Sequence, residues 1–427
     1  MPTGPLLEPH PFSELSRLVE EHLYMLNVKM LSMVIAGVAL SFLPLGLEPA
    51  HAQQGSEPSE QEPLDFLVVK PDTSRLTYDQ MGNRVRFLAL GLENAGQYSE
   101  FEITIPPGGG IAPNYHTKET QAFLLLDGNL TFQSEEQTLD ATPGAFVYLP
   151  KNRPYSFTNT GTEPSKLLGF SLPAGYREEF VQATGTPVSN PSAPILAVNN
   201  LTATTTDSLE YGVNFFQPFA PYEENEEILV VPSGAPGRPA YDVLGERFTP
   251  LAIGEETRDR FSLIEVLSPP GAGAPLRINA NVDETFFIQE GELTFQLEDE
   301  SVVAPAGSLV YLPKGRAHAY VNAGTTTAKL VSLITPGGEL ENFFPEAGQL
   351  VTDRSTPIAP PSQDSARIGA LAAKYKVQVL SPSSVKASVP EPSTELSLLG
   401  LGVCFGTQLV LKRKHKKHTD EFAGVSP

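Results

Sequence analysis

Apolar residues in this chain come in short runs closed by turn-forming pairs. Leu124-Leu125-Leu126 is followed by Asp127-Gly128 and then by Leu130-Thr131-Phe132. Phe286-Phe287-Ile288 is followed by Glu290-Gly291 and then by Leu293-Thr294-Phe295. An acidic residue and a glycine between two apolar runs predict strand, tight turn, strand. Pro143-Gly144 and Ala306-Gly307 open further runs, Phe146–Leu149 and Leu309–Leu312, which stop at Pro150 and Pro313. Strands this short, at roughly eight-to-twelve-residue spacing, predict a sandwich or a barrel.

These runs belong to one sequence written twice, at an offset of 163 residues (Tyr78 to Tyr241). Tyr78-Asp79 recurs as Tyr241-Asp242, and Pro106-Pro107-Gly108 as Pro269-Pro270-Gly271. Val147-Tyr148-Leu149-Pro150-Lys151 recurs as Val310-Tyr311-Leu312-Pro313-Lys314. Asn159 and Gly185 find Asn322 and Gly348 without an insertion. Solenoid repeats run roughly 20–50 residues, so this period marks a duplicated domain. Positions where the copies agree speak for the fold. Chemically loaded positions where they differ mark function lost or divided.

Two longer apolar runs lie at the ends and read as addresses. Residues 30–47 follow Lys29 and precede Ala50-His51-Ala52, which places small residues at −3 and −1 of a cut between Ala52 and Gln53. This is a secretory signal pattern over residues 1–52, with an uncut anchor as the alternative. The stretch ahead of Met25 is long for such a leader, so initiation at Met25 or Met30 stays open. At the other end, Pro390-Glu391-Pro392-Ser393-Thr394 precedes an apolar run, Leu396 to Leu411, and a basic cluster, Lys412 to Lys417. The run is short of the ~20 residues of a full span. Residues 389–427 resemble the PEP-CTERM sorting signal, with an ordinary single-pass anchor as the alternative. The extension His418 to Pro427 departs from that pattern. The resemblance implies an exosortase-type processing protease as a partner, and a bacterial envelope or extracellular location. The membrane would be met only through the terminal segments.

The net charge of −21 argues against nucleic acid and anionic lipid as partners. The single cysteine, Cys404, lies in the terminal apolar run, so export comes without an internal disulfide. High proline (40) and glycine (35) with no tryptophan favour an all-β fold with tight turns.

The repeated pattern resembles the cupin family. It reads Pro-Pro-Gly, a variable stretch, an acidic-glycine hairpin, then a glycine, a proline, His or Tyr, and Asn. The fold expected is all-β, two tandem jelly-roll barrels with short flanking helices, and the later segment Ile368 to Pro382 is similar to the ending of quercetin-dioxygenase-like cupins. The domains expected are 64–185 and 228–388, with 186–227 as a linker or inter-barrel segment. Aromatic-dense Tyr211–Tyr222 within it reads as a lid or as packing between barrels.

The resemblance implies one divalent metal (Fe, Mn, Ni or Cu) per active barrel, held by three histidines and a glutamate. In the first repeat those positions carry Asn114, His116, Gln121 and Tyr155. In the second they carry Arg277, Asn279, Glu284 and His318. The first set reads as a neutral hydrogen-bonded cluster. In the second, Arg277 has no lone pair to offer a metal and is expected to pair with Glu284. Outside the terminal segments only His116 and His318 remain, so no three-histidine site can form. No metal is therefore expected. If one binds, Glu284 and His318 would hold it. No catalytic residue is assigned. The leading expectation is an envelope-associated bicupin with degenerate sites that binds a small organic molecule or a glycan. A metal-dependent dioxygenase acting through the second barrel and a structural surface protein are the alternatives.

Overall fold

The computed structural model describes residues 65–134, 137–196, 208–215, 226–361 and 365–380. The signal, its cut at Ala52/Gln53, and the sorting motif Pro390-Glu391-Pro392 lie outside the described residues. Among those described, no helix is long and apolar enough to cross a membrane.

The expected all-β architecture is present as two barrels, each an eight-stranded sheet facing a five-stranded sheet. In the first barrel Thr120–Asp127 and Leu130–Ser134 form the hairpin expected at Asp127-Gly128. Gly128 sits at φ +80° and its twin Gly291 at +74°. A side chain at Gly128 would meet Ser165, and one at Gly291 would meet the backbone of Ala328. The turn therefore needs glycine for both torsion and space.

Other repeated residues act as ties. Asn159 donates to Ile105 O and Glu163 O at 2.9 Å, and Asn322 to Ser268 O at 2.6 Å and Thr326 O at 2.8 Å. Asp79 and Arg84 form a two-pronged pair, as do Asp242 and Arg247. Each arginine also donates to carbonyls about 110 residues on, Pro191 and Ala193 in one copy and Arg354 and Thr356 in the other, which pins the strap leaving each barrel.

The opening strands are exchanged. Leu67–Val69 precedes the first barrel but pairs with Leu309–Leu312 of the second. Leu229–Val231 precedes the second barrel but pairs with Phe146–Leu149 of the first. The closing strands stay at home. Val213–Phe215 pairs with Asn114–His116, and Val377–Val379 pairs with Arg277–Asn279. The stretch read as linker thus supplies a strand to the first barrel at Val213–Phe215. Its neighbours 216–225, with the rest of the aromatic-dense stretch, lie outside the described residues.

Three large apolar clusters result. One fills each barrel. The third is a seam built from both barrels, including Tyr98, Tyr148, Phe261, Phe287 and Tyr311. Polar ties cross the seam. The Tyr98 hydroxyl meets Thr285 Oγ1, Gln97 meets Asp283, and Arg260 donates to the Tyr148 hydroxyl at 2.8 Å.

Candidate functional site

In the second barrel, strand Gly273–Asn279 turns Arg277 and Asn279 to one face, as period-two alternation requires. Strand Asp283–Glu290 brings Glu284, and strand Ala317–Val321 brings His318, which lies opposite Arg277 in register. The four predicted residues meet around one oxygen. Glu284 Oε2 accepts from Arg277 Nη2 at 2.6 Å and from Asn279 Nδ2 at 2.7 Å, and lies 3.3 Å from His318 Nε2. Burial pushes the Glu284 carboxyl up, but Arg277, His318 and Asn279 outweigh it and bring it down to about 2. Burial, reinforced by Arg277, holds the His318 imidazole below its usual range.

Two further residues complete this site and were missed in the sequence. Glu246 lies on strand Glu246–Ala252, and its Oε2 accepts from the Tyr320 hydroxyl at 3.0 Å. Burial pushes the Glu246 carboxyl up to about 7, over the opposing pull of Ser268, Tyr320 and Arg277. Ser268 Oγ acts on this carboxyl only from beyond hydrogen-bond distance, and among the described residues neither it nor Glu246 Oε1 has a partner within that distance. Tyr320 could have been found, because it stands two residues from His318 on the same strand face. Glu246 could not, because its counterpart in the first repeat is Asn83 and it falls outside the repeated motifs.

Glu246, Arg277, Asn279, Glu284 and Tyr320 border a cavity of about 90 Å³. Its walls are largely apolar: Phe248, Phe286, Phe344, Ile368 and Val377 among them. The helix Ser365–Lys374 and strand Val377–Val379 close it on one side.

The first barrel is built differently. Asn114 turns to the backbone, donating to Ala112 O at 2.9 Å and Tyr155 O at 3.3 Å. The Tyr155 hydroxyl donates to Gln121 Oε1 and lies 3.4 Å from His116 Nε2. Gln121 Nε2 donates to Glu119 Oε1 at 2.9 Å, and His116 Nδ1 lies 3.0 Å from the same oxygen. Beyond the four residues expected, this cluster takes in an acidic side chain. Glu119, two residues before Gln121, supplies the carboxylate, and its spacing from His116 was the available signal. Arg177, on helix Tyr176–Thr184, is also buried here, with its guanidinium 5.4 Å from the Phe101 ring centre and 5.7 Å from that of Phe180. The rings of Phe123, Phe132, Tyr155 and Phe157 pack at centroid distances of 5.4–6.5 Å in the interior. Leu340 in the second repeat stands where Arg177 stands in the first, and it lines the cavity.

Residues 101–170 and 264–334 both match the cupin domain. The chain carries two cupin domains. Over 112 residues, 26% of its length, this bicupin is 30% identical to quercetin 2,3-dioxygenase of Bacillus subtilis (strain 168). The bicupin spans about a third (32%) of that relative's length. Similar solved structures include procruciferin, an 11S globulin from Brassica napus, at 12% identity and TM-score 0.46, covering 66% of this chain and 86% of that one. A variant of oxalate decarboxylase from Bacillus subtilis aligns at 14% identity and TM-score 0.44, covering 70% and 86%.

The divalent metal that the cupin resemblance implies does not suit the donor set present here. In the second barrel the two possible ligands, Glu284 and His318, already face each other, and a guanidinium occupies the carboxylate at 2.6 Å. A dication there would meet that fixed positive charge in a buried site. In the first barrel His116 and Glu119 are the donors in reach of each other, and Glu119 is bound by Gln121. Among the described residues, no three His, Cys, Asp or Glu side chains converge.

Proposed function

We propose that this bicupin binds a small organic molecule inside its second barrel, without a metal. One observation carries the reading: an apolar cavity edged by buried polar atoms that the protein leaves unpaired, among them Glu246 Oε1 and Arg277 Nη1. Buried polar groups are nearly always hydrogen-bonded, so such atoms facing a cavity suit a ligand. A mostly apolar wall suits a small organic body better than a glycan, which presents hydroxyls on all sides. The first barrel, filled by aromatic rings and Arg177, serves as a scaffold for the second. The terminal segments supply the rest of the reading. The protein would be exported, matured before Gln53, processed by an exosortase-type protease, and held at a bacterial envelope.

Screening a library of small organic molecules by thermal shift tests the binding reading. Ligands should raise the melting temperature of the native protein. Ala274→Leu, which fills the cavity, should abolish the response. A silent library, or responses that Ala274→Leu leaves intact, would overturn it.

The match to quercetin 2,3-dioxygenase favours a second reading, a metal-dependent oxygenase acting through the same barrel. Elemental analysis of the purified protein separates the two. Iron, manganese, nickel or copper well below one per chain is expected, and stoichiometric metal would put the oxygenase reading first.

A further inference from the structure

We propose that the second barrel takes a small primary ammonium compound with a short apolar body and one hydroxyl, held between Glu246, Asn279 and Arg277. The inference rests on the reading of this barrel as a ligand site and names the ligand's chemistry. Four polar atoms at the cavity have no hydrogen-bond partner among the described residues: Glu246 Oε1, Asn279 Oδ1, Arg277 Nη1 and Ser332 Oγ. Their residues are 1%, 1%, 9% and 4% exposed, so bulk water does not serve them.

The donor and acceptor roles follow from the bonds already made. Asn279 spends its amide nitrogen on Glu284, so its free atom is the acceptor oxygen. Glu246 receives the Tyr320 hydroxyl on one oxygen, and the other remains an acceptor. Ser332 Oγ can accept as well. Three acceptors match the three N–H bonds of one primary ammonium group. Arg277 Nη1 can donate but not accept, so it calls for an acceptor on the same molecule, such as a hydroxyl.

Charge selects among ligand classes. Arg277 and Glu284 pair at 2.6 Å, and the ring nitrogens of His318 face Arg316 O and Glu284, which leaves the Glu246 carboxylate without a cation of its own. The other charged or titratable groups that act on Glu246 are Arg277, Glu284 and Tyr320, and none of them supplies a free positive charge. An anion would add a second buried negative charge, and a neutral ligand would leave the first uncompensated. An ammonium removes it, and the aromatic walls tolerate a cation beside their faces. Size sets the body. A cavity of roughly 150 Å³ holds benzene, so about 90 Å³ limits the guest to a handful of heavy atoms.

Three near-isosteric probes test this on the full chain at about pH 8, where amine and carboxylate are both ionised. They are 1-amino-2-propanol, 1,2-propanediol and lactate, each small enough for the cavity, compared by calorimetry. The amine should bind about tenfold or more tightly than the diol, because a charge-assisted hydrogen bond replaces a neutral one. The hydroxy acid should give no detectable binding. Glu246→Gln should bring the amine down to the level of the diol. Equal or tighter binding of the diol or the acid would overturn the ammonium assignment and, if Ala274→Leu abolished it, leave the barrel a ligand site. Silence from all three would overturn the assignment too. The wider reading would then fall only if the library screen were silent as well.

Discussion

Two buried glutamates in the second barrel have opposite surroundings and opposite effects on stability. Glu284 is depressed to about 2 by Arg277, so it contributes stability above the ordinary carboxylate value of 4.5, lost as pH falls through about 2. Glu246 is raised to about 7, so its contribution is present below 4.5 and lost as pH rises through about 7. The unliganded protein should therefore lose roughly 3 kcal/mol between about pH 4.5 and 7 on account of Glu246. Glu246→Gln should flatten that interval in denaturant titrations. An unchanged slope in the variant would show that Glu246 is not the group responsible. Arg277→Ala acts on the other side of the site. It leaves Glu284 buried with Asn279 and His318 but without its cation, at a cost of about 3 kcal/mol. A loss under about 1 kcal/mol, the range of an exposed pair, would mean that water replaces the guanidinium. The Arg277–Glu284 pairing was legible in the sequence, because both stand at inward-facing positions of a recognisable motif. Glu246 and Arg177 were not, because each reaches a barrel interior from outside the motif. Only the folded barrel shows what they meet.

At the scale of elements, legibility follows the strength of local signals. The hairpins at Asp127-Gly128 and Glu290-Gly291 are specified by turn chemistry within a dozen residues, and both formed. The exchanged strands Leu67–Val69 and Leu229–Val231 are apolar triplets, each followed by a turn, and so look like the start of the barrel that follows them. Their partners lie in the other barrel, and a pattern read along the chain carries no record of that choice. The same holds for Val213–Phe215, whose three residues sit in a stretch rich in turn formers. Its twin, Val377–Val379, was easier to see because a ten-residue helix precedes it. The terminal elements remain readings of sequence alone. Removing residues 389–427 should release the protein from membranes into the periplasm or medium, as fractionation and blotting would show. Unchanged membrane association of the truncated form would count against the sorting reading.

At the scale of the molecule, the exchange of strands decides how the two barrels behave. Each eight-stranded sheet is finished by a strand from the other repeat, so neither barrel can unfold without unpairing an edge of its neighbour. The seam adds Tyr98, Tyr148, Phe261 and Tyr311, each nearly or fully buried, and burying such rings contributes about 1.5–3 kcal/mol apiece. Coupling of this size exceeds what independent domains of a chain usually share across a small polar interface. The two barrels should therefore melt as one unit. Calorimetry of the intact chain should give a single transition with the van't Hoff and calorimetric enthalpies in agreement. An isolated second repeat, residues 229–380, would lack Leu67–Val69 beside Leu309–Leu312 and expose the seam, so it should aggregate or remain unfolded. Two resolved transitions in the whole protein, or a soluble and cooperatively folded second repeat, would show that the strand exchange is decorative. The amine probes give the same coupling a functional reading. A ligand held in the second barrel should raise the melting temperature seen by probes placed in the first, because each barrel's sheet is finished by a strand of the other repeat.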